Sequence, residues 1–106
     1  MEKKELFDLL CDLREKLNVI ADARVALQEV RSQIRWTKGR LTLCDEYLKR
    51  GDHPPYRTGD LEKELDRQTS ERDRQEQFVH GLEGRANSTF ESILAALELP
   101  YQTHTL

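Results

Sequence analysis

Aromatic residues are scarce in this chain, at 7% of 106 positions, and the only tryptophan is Trp36. With 35% of residues charged, there is too little bulky apolar material for a large self-contained globular core. No uninterrupted apolar run exceeds Ile93 to Leu97, far short of a membrane span. The N-terminal Met1-Glu2-Lys3-Lys4-Glu5 is not followed by an apolar h-region, so no signal peptide is expected and the expected location is cytoplasmic. Net charge is only -3, too mild for an acidic tail or for bulk nucleic-acid binding. The two cysteines, Cys11 and Cys44, would lie roughly 50 Å apart on one continuous helix at 1.5 Å per residue. They are therefore expected as reduced thiols in an apolar seam and not as an intrachain disulfide.

Catalytic and metal motifs are also missing. There is no Gly-rich phosphate loop, no nucleophile elbow and no Cys/His pairing at a recognisable spacing. Glu76, His80 and Glu83 fall at helical spacing. A di-iron bundle, however, needs Glu-x-x-His on two helices, and Gln77 stands where that motif wants Glu. A zinc site fails on ligand count. The expectation is a protein that is not an enzyme and takes no cofactor or metal.

What the chain does have is an apolar residue every seven positions. Leu6, Leu13, Ile20, Leu27, Ile34, Leu41 and Leu48 fill one heptad position, a, without exception. Seven residues nearly complete two helical turns, so this repeat belongs to a long helix that buries one narrow stripe. The companion d column (Leu9, Lys16, Ala23, Val30, Thr37, Cys44) is weaker, and Leu10 and Leu17 widen the early stripe. The pattern predicts a helix over about 3–49, continuing through Gly39.

Gly51 supplies a C-cap, and Asp52-His53-Pro54-Pro55 stops the helix. After a loop over 50–59, Asp60 is a good N-cap for a second helix over about 60–80, opened by Leu61 and Leu65. From Asp66 to Gln77 no residue is apolar; such a run forms helix through charged pairs but is not expected to bury a face. Ser88-Thr89-Phe90-Glu91 reads as a capping box starting a third helix over about 89–98, with a face of Phe90, Ile93, Leu94 and Leu97. Residues 1–100 would form a single helical domain and 101–106 a flexible tail.

The fold expected is all-α: a long antiparallel helical hairpin, coiled-coil-like, with a short third segment, forming a dimeric bundle. The dimer follows from the polar run, which would leave the strip around Leu27 to Ile34 half uncovered for a second copy. Leu27, Val30, Ile34 and Leu41 are the residues expected to self-associate.

Residues 24–40 are basic, with Arg24, Arg31, Arg35, Lys38 and Arg40 against Glu29 alone. Interhelical ion pairs with the acidic second helix would neutralise this stripe. Left unpaired, it would offer a face to a partner, with Trp36 as an anchor or as packing against the loop. Arg31, Arg35, Trp36 and Lys38 are the candidates for partner contact. The expected function is a non-catalytic protein–protein interaction module: an adaptor, assembly factor or regulator presenting a helix surface. Two alternatives are a nucleic-acid-associated regulator using the basic face 24–40 and a small helical inhibitor of an enzyme. The C-terminal Thr103-His104-Thr105-Leu106 also fits the pattern of a PDZ-domain ligand.

Overall fold

A computed structural model describes residues 2–97. They form two long helices, α1 (Lys3–Lys49) and α2 (Thr58–Ala96), with no strand among the described residues. The chain packs as two compact units: the residues up to Ala23 with those from Phe78 onward (unit 1), and Arg24–Gln77 (unit 2). The tail from 101 on, with its PDZ-ligand pattern, and the expected end of the third helix at 98 lie outside the described residues.

α1 follows the heptad reading without a break at Gly39. Ile20, Leu27 and Ile34 in the a column are buried, as are Ala23, Val30, Thr37 and Cys44 in the d column. α1 ends where expected, and the geometry there is a Schellman cap. Gly51 adopts φ 79°, its N–H donates to the Leu48 carbonyl (3.0 Å), and the Asp52 N–H reaches the Tyr47 carbonyl (2.9 Å).

α2 begins two residues earlier than expected, with Thr58. The Arg57 carbonyl accepts the N–H groups of Asp60 (3.1 Å) and Leu61 (3.2 Å), so Asp60 lies inside the first turn. Its charge there still complements the helix dipole.

Two expectations about α2 are corrected. First, the polar run does bury a face. The column Leu61, Gln68, Gln75, Leu82, Thr89 repeats every seven residues straight through it, beside Leu65, Arg72, Val79, Ala86 and Ile93. In unit 2, Gln68 is only 6% exposed and accepts a hydrogen bond from the Thr37 hydroxyl at 2.7 Å. A polar side chain with a bonded partner fills a seam position that sequence reading reserved for apolar groups.

Second, no separate third helix starts at Ser88; α2 is continuous to Ala96. The Ser88 hydroxyl, expected as a cap, instead donates back to the Gly84 carbonyl at 3.1 Å, and Ser92 does the same to Ser88 at 3.0 Å. Interior serines make this bond when the helix runs on. Breaking the helix at Ser88 would put Ala86 and Ile93 out of phase. The buried face is thus Val79, Leu82, Ala86, Thr89 and Ile93, while Phe90 and Leu97 are exposed.

A polar layer joins the two helices in each unit. In unit 2 the Gln68 amide accepts from Thr37 and donates to Glu64 (3.1 Å), whose carboxylate also takes the Arg67 guanidinium. Unit 2 is a helical hairpin closed by the 50–57 loop. Arg31 pairs with Glu76 and Thr37 with Gln68, so numbers fall on α2 as they rise on α1 and the two helices of the hairpin are antiparallel. In unit 1 Lys16 donates to Asp12 (2.7 Å) and to the Thr89 hydroxyl (2.6 Å), which joins the two helices. Lone polar layers in an apolar seam fix register, because a slip would strand them against hydrocarbon.

Candidate functional site

The four residues expected at a self-interface are all on α1. Leu27, Val30 and Ile34 are buried within the single chain, Leu27 at 6% and Ile34 at 5% exposure. The uncovered strip that motivated a dimer through them is absent, because the polar layer completes the seam. Leu41 is half-buried and lines a shallow concavity with Thr42, Asp45, Leu48, Thr58 and Glu62.

The four partner-contact candidates divide. Arg31 turns toward α2 and meets the Glu76 carboxylate at 3.2 Å, with both groups partly exposed. This pair is worth at most about 1 kcal/mol, but it does take Arg31's charge out of the basic stripe. Arg35, Trp36 and Lys38 are exposed. Trp36 has 68% of its surface open, the most exposed large apolar side chain among the described residues. Arg35 donates to the Ser32 hydroxyl at 3.0 Å. Ser32, Arg35, Trp36 and Gly39 line a shallow concavity on the outer face of α1.

A fifth residue, named in the basic stripe but not among the contact candidates, organises this site. The Arg40 guanidinium lies 4.6 Å from the Trp36 ring centre and 5.1 Å from that of Tyr56 in the loop. The cation is held between two aromatic faces, an attractive arrangement that leaves the far side of the indole open. Tyr56 is tethered in turn, since its carbonyl accepts the Cys44 thiol at 3.6 Å. Trp36 thus meets the loop only through Arg40, and most of its surface stays exposed. Its i, i+4 spacing to Arg40 was legible in the sequence. The return of Tyr56 was not, because it depends on the path of the loop.

Along the polar run, the cations of α2 are matched locally. Arg67 pairs with Glu64, Arg72 with Asp73 (3.1 Å) and Arg74 with Glu71. The Arg67 guanidinium and the proximity of Gln68 hold the Glu64 carboxyl below its ordinary range against the opposing effect of burial. Lys16 holds Asp12 low in the same way in unit 1.

Among the described residues no three His, Cys, Asp or Glu side chains gather as a metal-binding group. No helix there is long and apolar enough to cross a membrane. What the outer face of α1 can do is offer an aromatic surface beside cations, a chemistry of binding. No protein-family model, curated protein or solved structure matches the chain.

Proposed function

We propose that this protein is a non-catalytic interaction module that presents the outer face of α1 to a protein partner, with Trp36, Arg35 and Lys38 as its contact residues. The observation that carries this reading is the 68% exposure of Trp36 on a helix whose opposite side is buried at Leu27, Val30, Ile34 and Thr37. A large aromatic held open to water beside cations is the composition of an interface hot spot. Arg40 stiffens the indole from one side, which lowers the entropy lost when a partner covers the other.

The test compares capture by the immobilised wild-type chain with capture by Arg35→Ala/Trp36→Ala, after circular dichroism shows equal helix. A bound protein lost from the variant supports the reading. Identical captured sets from the two baits overturn it.

A further inference from the structure

The outer face of α1 in unit 2 has a repeat of its own. Val25, Ser32, Trp36, Gly39 and Leu43 follow one another at the 3–4 spacing of a second heptad stripe, interrupted only by Glu29. Val25, Trp36 and Leu43 are exposed, and Ser32 is half-buried. We infer that this second stripe, from Val25 to Leu43, docks an α-helix of a partner protein whose own apolar stripe is edged by carboxylates. The inference rests on the interaction reading above and gives its partner a shape and a charge.

The shape comes from the concavity lined by Ser32, Arg35, Trp36 and Gly39. These residues stand at i, i+3, i+4 and i+7, the four corners of the hole that receives one side-chain knob from a facing helix. Gly39 forms one corner. A Cβ built there meets nothing within 4 Å, so no neighbour among the described residues requires glycine at this position. Its presence inside a helix costs about 1 kcal/mol relative to Ala. An incoming knob is the group that would use the space.

The charge comes from the same turns. Between Val30 and Leu43 there are four cations, Arg31, Arg35, Lys38 and Arg40, and no Asp or Glu. Arg31 is neutralised by Glu76 and Arg40 is held between rings. Among the described residues Arg35 reaches only the Ser32 hydroxyl and Lys38 makes no ion pair. Carboxylates flanking the docked helix complement these two. A second copy fits poorly, since two-fold pairing of this face would bring like cations together. Nucleic acid fits poorly too, since two available cations could neutralise only about two phosphates, too few for the backbone contacts that drive such binding.

Trp36, the sole tryptophan, reports the test directly. Full-length protein is titrated with three tryptophan-free synthetic helical peptides: a leucine heptad stripe flanked by Glu, the same stripe flanked by Lys, and a Gln stripe flanked by Glu. The Glu-flanked leucine peptide should shift Trp36 emission to the blue and bind at least about tenfold more tightly than either control. Gly39→Leu, which fills the hole without straining the helix, should weaken that binding by about tenfold or more while the melting temperature holds or rises. Arg35→Glu/Lys38→Glu should switch the preference to the Lys-flanked peptide. Equal binding of all three peptides overturns the inference, as does undiminished binding by Gly39→Leu or tighter binding of a single-stranded oligonucleotide. If the peptides fail while Arg35→Ala/Trp36→Ala still loses a captured protein, the helix-docking inference falls and the interaction reading stands.

Discussion

Gly39 and Gly51 make opposite demands on an added methyl group. Gly51 holds φ 79°, a left-handed conformation that strains any side chain, and its cap terminates α1. Gly51→Ala should therefore lower stability by about 1 kcal/mol in urea unfolding. Gly39 sits in ordinary helix facing open space, and Gly39→Ala should raise stability by about 0.5–1 kcal/mol in the same assay. The first role was readable, because a glycine directly before Asp-His-Pro-Pro has to end a helix. The second was readable only as a local weakness, since emptiness around a Cβ is a property of three dimensions. Among titratable side chains, Asp12 is held below its usual 3.8 chiefly by the hydrogen bond from Lys16, and Glu64 below 4.5 chiefly by that from Arg67. A folded-state value below the unfolded one means support that is present above the ordinary carboxylate range and is lost as pH falls through the folded value. Thermal midpoints should stay level near pH 6 and decline below about pH 4. The decline should be shallower in Asp12→Asn, whose own midpoint near neutral pH should lie slightly below that of wild type.

At the scale of the helix, the heptads of α1 were fully legible because apolar residues mark its first column without a gap. Those of α2 were hidden by Gln68, Arg72 and Gln75, whose polarity masks seam positions unless the seven-residue spacing is followed through them. The capping-box reading at Ser88 failed for the same reason. A local signal of four residues lost to a seam running from Val79 to Ile93, and the Ser88 hydroxyl that would have capped a new helix bonded back into the old one. The Thr37–Gln68 layer then has a measurable signature. Replacing both partners with Thr37→Val and Gln68→Leu removes the desolvation of two polar groups and should raise the melting temperature. Gln68→Leu alone should be less stable than the double variant, since Thr37 then keeps only the Gln33 carbonyl. Differential scanning calorimetry of the three chains distinguishes these outcomes.

For the molecule as a whole, the position of the apolar seam decides what a charge placed in it would do. Leu27 and Ile34 are enclosed within one chain, so Leu27→Glu/Ile34→Glu should abolish much of the helical signal at 222 nm and not merely change the mass in solution. Helix retained in full would mean that these side chains meet a second molecule after all. Sequence reading placed them correctly on a buried stripe. It gave them a second copy as cover, because it took burial to require hydrocarbon on both sides, whereas the single chain already encloses Leu27, Val30 and Ile34.

The two cysteines, equivalent in composition, differ in access. Cys11 is exposed, whereas Cys44 has no exposed surface and sits under the Tyr56 carbonyl of the loop. A thiol reagent in excess should therefore modify one sulfur at once and the other only at the frequency with which the loop lifts from the hairpin. The slow phase is a clock for that opening. Anything that clamps the Arg40–Tyr56 stack from outside, a docked partner included, would be read as a slowing of that clock.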